Sequence, residues 1–211
     1  MPAGSRIAPR GLHQMQRQEQ ERGIQDSELR AYLVDGKPER IYTVDESGKL
    51  LTLEYREILH LAKTSRRHAA VIGMILRSDQ KFLVQWRASS KLGGNRLDVS
   101  ATTHVRSGET YESALQRSFE NELRIDTTVP LRHVFDFRYE EELGEHKENE
   151  YCKVFFGAYD GIYRPNPEEI ESVVFMTLNE LKEYITKDSQ KATKWLRETV
   201  RRMDESMLSS S

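Results

Sequence analysis

The chain has 211 residues, a formal net charge of −2 and 31% charged residues. This length allows one sizeable domain with extensions, and the near-neutral charge gives no reason to expect a nucleic-acid or anionic-membrane partner. No apolar run approaches transmembrane length, and the single cysteine, Cys152, excludes an internal disulfide and fits a reducing, cytoplasmic compartment.

The first 28 residues are polar and rich in Gln, Arg and Glu, with too few apolar side chains to form a core. We therefore predict a disordered or solvated helical arm over residues 1–28 and a single domain over 29–208. Runs at 31–35 and 41–46 are rich in β-forming residues and are followed by turn clusters, which predicts an N-terminal hairpin. A short amphipathic segment over 55–62 follows.

The segment 69–76 is apolar on both faces, which predicts a buried central strand. A returning strand is expected at 82–87, followed by a basic, glycine-containing loop over 88–96. A short strand then begins at Leu97, and Ser107-Gly108 marks a turn.

An acidic helix is predicted after this turn, with Glu109 and Glu112 in its first turn, where carboxylates favour the helix dipole. Its apolar residues share one face by helical spacing; they are Ala114, Leu115, Phe119 and Leu123. Glu122 lies beside this face. It can reach inward to a partner such as a metal, or it can point to water, and periodicity alone favours the second interpretation.

Strands are predicted at 131–139, 148–156 and 168–176, with a charged loop over 140–147. Thr177 to Glu180 matches a capping box and opens a helix over 178–186. A last helix, capped by Asp188 or Ser189, runs to about residue 207 with Trp195 on its apolar face. Because strands outnumber helices and helices flank a mixed sheet, the fold class is α/β or α+β.

Polar residues with metal-ligand chemistry lie at the edges of the predicted strands. They are His60, His68, His104, Glu148 and Glu150. Imidazoles and carboxylates suit a divalent transition metal or Mg²⁺, and Glu148 and Glu150, two residues apart, point the same way in a strand. The alternative is that these are ordinary polar strand-end residues, because their spacing is not a motif.

Three basic residues, Arg56, Arg87 and Lys91, precede the acidic helix. Arg87 ends a strand and Lys91 lies in the following loop, so both can face one rim and clamp a diphosphate. The alternative interpretation is solvated surface charge.

The stretch from Lys91 to Ile125 resembles the Nudix superfamily, and within it the branch of type I isopentenyl-diphosphate isomerases and their hydrolase relatives. The Nudix box reads Gly-x5-Glu-x7-Arg-Glu-U-x-Glu-Glu-x-Gly-U, with U apolar. Its positions are occupied here by Thr103, Glu109, Arg117, Ser118, Phe119, Asn121, Glu122, Arg124 and Ile125. Ser118 and Asn121 thus replace two of the carboxylates with which Nudix hydrolases hold Mg²⁺.

The resemblance implies a Nudix fold, a small-molecule diphosphate substrate and a divalent metal, Mg²⁺ or Mn²⁺ or both, with Zn²⁺ as an alternative. The implied metal ligands are His60, His68, His104, Glu148 and Glu150, with Glu122 binding Mg²⁺ together with substrate. The implied substrate contacts are Arg56, Arg87, Lys91 and Trp195. The implied catalytic residues are Glu150, Tyr139 and Thr102.

Thr102 is the main departure from the isomerases, which place a catalytic Cys two residues before the residue matching His104. A thiol titrates at about pH 8.5, whereas a threonine hydroxyl has no accessible ionised state, so Thr102 is a poor base. Cys152 lies beside Glu150 and is expected to point to the opposite side of its strand. Leu97-Asp-Val-Ser100 is more similar to the hydrolase relatives.

Three functional hypotheses follow from these residues. The first is an isomerase-like metal-dependent enzyme, which the fuller isomerase-like pocket favours narrowly. The second is a Nudix hydrolase that cleaves a diphosphate bond in the same pocket. The third is a non-catalytic protein that binds a diphosphate or a partner protein.

Overall fold

The computed structural model describes residues 33–34 and 37–208. The polar arm predicted at residues 1–28 lies outside this range. Within the described part of the chain, no helix combines the length and the apolar composition needed to cross a membrane.

The strands are β1 (Leu33–Val34), β2 (Lys37–Pro38), β3 (Arg40–Val44), β4 (Leu50–Tyr55), β5 (His68–Leu76), β6 (Phe82–Arg87), β7 (Leu97–Asp98), β8 (Ala101–His104), β9 (Leu131–Leu143), β10 (His146–Ala158) and β11 (Ile170–Met176). The α-helices are α1 (Arg56–His60), α2 (Tyr111–Leu123), α3 (Leu178–Lys187) and α4 (Lys194–Arg202). Short 3-10 turns follow α3 at Ser189–Lys191 and α4 at Glu205–Leu208.

The main sheet is mixed and has the strand order β11-β6-β5-β10-β9; β3 and β8 also pair with β5, and β7 pairs with β6. Strands β5 and β10 run parallel, and the other pairs are antiparallel. All nine residues of β5 are buried, which confirms the predicted central strand. The α+β class with helices beside a mixed sheet is also confirmed.

Helix α2 packs closely on β5. Its four predicted apolar residues are fully buried, and a Cβ at Gly73 would come within 2.7 Å of Leu115 and Phe119, so glycine permits the close approach. The helix begins at Tyr111, where Thr110 and Ser113 form a capping box. The prediction that Glu109 lies in the first turn is therefore wrong, since Glu109 precedes the cap.

The predicted charged loop at 140–147 is wrong. Strands β9 and β10 continue through it as one long hairpin that turns at Gly144, whose φ of 66° suits glycine. Residues 140–147 are mostly charged because one face of this hairpin is turned to solvent, and such a composition is also typical of a loop. As a result Glu148 and Glu150 lie within the paired ladder and are held rigidly.

The N-terminal and C-terminal elements differ partly from the prediction. Strands β3 and β4 form a hairpin around 45–49, while Leu33 and Val34 pair with Pro38 and Lys37. The capping box of Thr177 and Glu180 is confirmed at α3. The last helix, however, begins after Thr193, whose hydroxyl caps it, rather than after Asp188.

Arg124 ends α2 in the left-handed conformation with φ of 53°, at the position where the Nudix box has glycine. Its side chain is exposed, so Arg124→Gly relieves backbone strain without losing a buried contact. We expect a gain of about 1 kcal/mol in unfolding free energy, or roughly 2–4 °C in Tm, measured by thermal denaturation. Arg124→Ala keeps the strain and should give no gain; an equal gain in both variants would contradict this explanation.

Candidate metal centre and active-site pocket

Three imidazole rings converge at one end of the sheet. His60 ends α1, His68 opens β5, and His104 ends β8. Their ring centroids are 4.6 Å apart for His60 and His68, 4.9 Å for His60 and His104, and 5.1 Å for His68 and His104. Residues from three elements that are distant in sequence therefore form a single cluster.

Two carboxylates of β10 complete this cluster. The Nε2 atom of His60 lies 3.3 Å from Glu148 Oε2, and His104 Nε2 lies 3.0 Å from Glu150 Oε1. His68 Nε2 is 3.9 Å from an oxygen of each glutamate. The parallel register of β10 with β5 sets Glu150 opposite His68, and alternation turns Glu148 to the same side.

Hydrogen bonds fix the orientation of two of the rings. His60 Nδ1 lies 2.7 Å from the carbonyl oxygen of Arg56, and His68 Nδ1 lies 2.9 Å from that of Arg66. Because a carbonyl only accepts, Nδ1 carries the proton and the Nε2 lone pair faces the cluster. Three atoms of the cluster are buried: Nε2 of His60, Nε2 of His68 and Oε2 of Glu148. None of them has a hydrogen-bond partner among the described residues.

The protonation states favour a cation at this position. Burial lowers the pKa of His68 and His104 well below the usual value, so both rings are neutral and each has a nitrogen lone pair that could bind a metal. For His60, burial lowers the pKa, but the negative charge of the adjacent Glu148 carboxylate outweighs burial and the pKa is raised. Two buried acceptors at 3.3 Å repel unless a cation or proton lies between them. The nitrogen and oxygen donors fit a divalent metal.

Donor atoms of His60, His68, His104 and Glu148 all lie within 4.8 Å of one another, so these residues could hold a metal. Two of the six predicted ligands, Glu150 and Glu122, are not in this group. Glu150 contacts His104 instead. Glu122 is buried on α2, where its carboxylate accepts hydrogen bonds from Ser118 and Gln85. Burial raises the pKa of Glu122 to about 7. The interpretation that Glu122 points to water is therefore wrong.

A cavity of about 550 Å³ opens onto the histidine cluster. It is lined by nearly all of the residues predicted for the site: Arg56, His60, Arg87, Lys91, Thr102, His104, Glu122, Tyr139, Glu148, Glu150 and Trp195. His68 is the exception, because it is fully buried behind the lining.

Each of the three predicted diphosphate contacts is paired with a carboxylate. Arg87 Nη1 lies 2.6 Å from Asp98, and Lys91 Nζ lies 2.6 Å from Glu169. Arg56 pairs with Glu39 at 2.8 Å. Asp98 is fully buried, whereas Lys91 and Glu169 are each about one-third exposed, so the Lys91 pair can exchange its partner more readily.

The aromatic residues form one wall of the cavity. The rings of Tyr139 and Trp195 lie 6.1 Å apart, and the Arg87 guanidinium lies 5.4 Å from the Trp195 ring centre. Tyr139 is directly opposite Glu150 in the β9–β10 pair. Burial, then the nearby charge of Glu150, raises the pKa of Tyr139 well above its usual value, so its proton is retained.

Thr102 faces the cavity, but its hydroxyl donates a hydrogen bond to the carbonyl oxygen of Val71 at 3.1 Å. Cys152 does not replace the missing thiol. Its Sγ lies 3.3 Å from Glu150 Oε2, so the expectation that it points away is wrong, because residues two apart share one side of a strand. Cys152 is nevertheless fully buried, and burial raises its pKa well above the usual value.

A family model for the NUDIX domain matches residues 66–196. This range includes the strands β11-β6-β5-β10-β9, helix α2, which carries the Nudix box and is called the box helix below, and most of the cavity lining. The chain belongs to the NUDIX domain family. The crystal structure of DR0079 from Deinococcus radiodurans has a similar fold, with a TM-score of 0.64 and 26% identity over 78% of this chain and 98% of that one.

Two curated relatives carry different names. The isopentenyl-diphosphate Delta-isomerase 1 of Aromatoleum aromaticum is 29% identical over 78% of this chain and 92% of its own length. An uncharacterized Nudix hydrolase of Yersinia pestis is 31% identical over 72% of this chain and 83% of its own length. These relatives place the chain in an isomerase-like branch of the Nudix family without deciding its reaction.

The retained Nudix-box residues brace the histidine cluster. Glu109 accepts two hydrogen bonds from Arg117, at 2.5 and 2.9 Å. Arg117 also donates to the carbonyl oxygen of His104 at 3.0 Å. This pair fixes the end of β8, and with it the position of His104, so Glu109 and Arg117 have a structural role here.

Several cavity residues were not predicted from the sequence. Arg106 lines the cavity two positions after His104, and that spacing was the one signal that could have identified it. Glu39 is buried and accepts from both Arg56 and Arg106, whose charges outweigh the effect of burial and lower its pKa to about 2. Glu39 and Asp98 had no local signal, because their partners are distant in sequence.

Metal binding tests the histidine cluster. His68→Ala removes a fully buried ligand that does not line the cavity, so we expect Mn²⁺ affinity to fall by at least roughly tenfold in titration calorimetry. His133→Ala serves as the control, because that side chain is 47% exposed and pairs with Asp136. Equal Mn²⁺ affinity for His68→Ala and the unmodified chain would exclude this cluster as the metal site.

Glu57 on α1 gives a pH-dependent prediction. Both its carboxylate oxygens are buried without a partner among the described residues, and burial raises its pKa to about 7. Because the unfolded group ionises first, Glu57 increasingly destabilises the fold as pH rises from about 4.5 to 7.

In Glu57→Gln this loss is absent. Between pH 5 and pH 8 the unmodified chain should therefore lose about 2 kcal/mol more unfolding free energy than the variant does. Urea denaturation at the two pH values measures the difference, with the exposed Glu112→Gln as the matched control. Parallel pH profiles for Glu57→Gln and the unmodified chain would contradict the prediction.

Proposed function

We propose that the chain is a metal-dependent enzyme of the isopentenyl-diphosphate isomerase type, acting on an isoprenoid diphosphate. The observation that carries this proposal is the convergence of three imidazoles, two of them oriented by hydrogen bonds, and two carboxylates beside a cavity with a cationic rim. Similarity to several proteins named isopentenyl-diphosphate Delta-isomerase supports it.

The metal ligands in this proposal are His60, His68, His104, Glu148 and Glu150. A divalent cation held there, Mg²⁺ or Mn²⁺ with Zn²⁺ as an alternative, would supply Lewis acidity next to the substrate. The Nδ1 hydrogen bonds of His60 and His68 keep their lone pairs directed inward. Glu122, on the facing helix, is the candidate for a further Mg²⁺ that enters with substrate.

The substrate would lie between the cationic rim and the aromatic wall. Arg56, Arg87 and Lys91 would contact the diphosphate oxygens, since guanidinium and ammonium groups are strong donors to phosphate. Trp195 and Tyr139 offer ring surface for the isoprenoid tail. Arg87 is held by Asp98, so it presents a fixed orientation to an incoming phosphate.

Isomerisation of a carbon–carbon double bond adds a proton at one carbon and removes one from another. Glu150, next to the protonated Tyr139, would transfer protons on one side of the substrate. Thr102 occupies the place of the second proton-transfer group, where it can only orient or relay, and its hydroxyl is bound to Val71. We therefore expect slow turnover.

Diphosphate hydrolysis is the second candidate function. It is considered because Thr102 is a poor proton-transfer group for isomerisation. A hydrolase needs a water activated near the phosphorus and carboxylates on the box helix. Of those carboxylates, Glu109 is committed to Arg117 and Ser118 and Asn121 have replaced two others, so only Glu122 is available. This shortage places hydrolysis second.

Thr102→Cys tests the isomerase proposal. Restoring a titratable group at this position should raise kcat for isopentenyl diphosphate by about 100-fold, measured as product formation by NMR with Mg²⁺ and Mn²⁺ present. Thr102→Ser keeps a hydroxyl and should not gain this rate. The absence of isomer formation in both the unmodified chain and Thr102→Cys would exclude isomerisation.

The same reactions report on hydrolysis. Release of phosphate or pyrophosphate without isomer formation, lost in Glu122→Gln, would replace the isomerase proposal with the hydrolase one. A screen of nucleoside diphosphate derivatives under the same conditions extends this comparison to other substrates.

A further inference from the structure

Glu39 differs from the other carboxylates that pair with a cation of the cavity. Three of the pairs join one cation to one carboxylate: Arg87 with Asp98, Lys91 with Glu169, and Arg117 with Glu109. Glu39 instead accepts from two guanidiniums, Arg56 Nη1 at 2.8 Å and Arg106 Nε at 2.6 Å. Glu39 therefore holds two guanidiniums next to each other at the cavity.

Glu39 is well placed to hold this pair. Its side chain is 4% exposed, so both ion pairs are shielded from solvent on its side. Its carbonyl oxygen also accepts from the backbone N–H of Arg56 at 3.0 Å, which ties the start of α1 to the segment between β2 and β3. The two guanidiniums are thus joined through a fixed, buried group.

The pair flanks the histidine cluster. Arg56 opens the helix that ends in His60, and Arg106 follows His104 by two residues. Both arginines line the cavity, and their side chains are 34% and 29% exposed. Arg106 contacts Glu39 through Nε, and the N–H groups of its two terminal nitrogens are further donors that a ligand could use.

The Arg87 pair is less able to attract an anion. Asp98 is fully buried and also accepts from Thr193 and from the backbone N–H of Val99. Arg87 is therefore neutralised by a partner that is fixed in place, and separating such a pair is costly. Arg56 and Arg106, in contrast, both contact the carboxylate of Glu39 and are partly exposed to the cavity.

We propose that Arg106, held beside Arg56 by Glu39, is a phosphate-binding residue of the cavity, and that Glu39 is the residue that positions the pair. This inference rests on the proposed function, in which the substrate carries a diphosphate. Two guanidinium forks offer parallel N–H donors that match the oxygens of a phosphate group.

Binding of inorganic pyrophosphate to the full chain, measured by titration calorimetry, tests Arg106 without any turnover. Arg106→Gln should weaken pyrophosphate binding roughly 10- to 100-fold, because it removes charge-assisted hydrogen bonds. Arg106→Lys keeps the charge but loses the fork, and should recover part of the loss. Arg138→Gln is the matched control, since Arg138 is 47% exposed, pairs with Glu46 and does not line the cavity.

Glu39→Gln tests whether Glu39 positions the two arginines or acts only through its negative charge. Removing the carboxylate raises the positive charge of the cavity, so an electrostatic role alone predicts tighter pyrophosphate binding. Positioning predicts weaker binding, because the amide can accept from one arginine and releases the other. Tighter binding would overturn the role of Glu39, and should this variant fail to fold, Arg106→Gln decides the proposal alone.

The outcomes distinguish this inference from the proposed reaction. No pyrophosphate binding by the unmodified chain, or equal affinity in Arg106→Gln, overturns the phosphate site. If pyrophosphate binding depends on Arg106 but the chain does not convert isopentenyl diphosphate, the phosphate site is supported and only the proposed isomerase reaction is rejected.

Discussion

The parallel pairing of β5 with β10 is the constraint on which the site depends. It sets Glu150 opposite His68, while the antiparallel pairing of β8 with β5 sets His104 opposite Ala70. Strands β8 and β10, which carry His104 and the two glutamates, are thereby aligned with His68 on the fully buried strand β5. A register shift by one residue would turn Glu148 and Glu150 to the opposite face of the sheet and separate them from the histidines.

Burial of so many polar groups in one place carries a free-energy cost that the fold must offset. Neutral imidazoles with lone pairs directed at carboxylates are unfavourable without a cation, and the cluster therefore has the electrostatic character of a metal site. The cations that line the cavity are held in place by ion pairs with Glu39, Asp98 and Glu169. Orientation of this kind reduces the ordering cost of binding a phosphate.

The box helix has changed its role relative to the Nudix pattern. Glu109 and Arg117 hold the strand end that carries His104, Glu122 is satisfied by hydrogen bonds, and Arg124 occupies a left-handed position that the pattern assigns to glycine. With Ser118 in place of a carboxylate, the helix contributes mainly structure. The group of side chains that could hold a metal lies instead in the histidine cluster at one end of the sheet.

The sequence by itself determined the central strand, the amphipathic box helix and the capping box at Thr177, because each is a local pattern of burial or capping. It also identified most of the cavity lining through the resemblance of its motifs. Only the tertiary structure decided that the charged segment at 140–147 is a hairpin, that Cys152 contacts Glu150, and that Glu39 joins Arg56 to Arg106. The physical reason is that these features depend on strand register and on ion pairs between distant segments, which local periodicity does not encode.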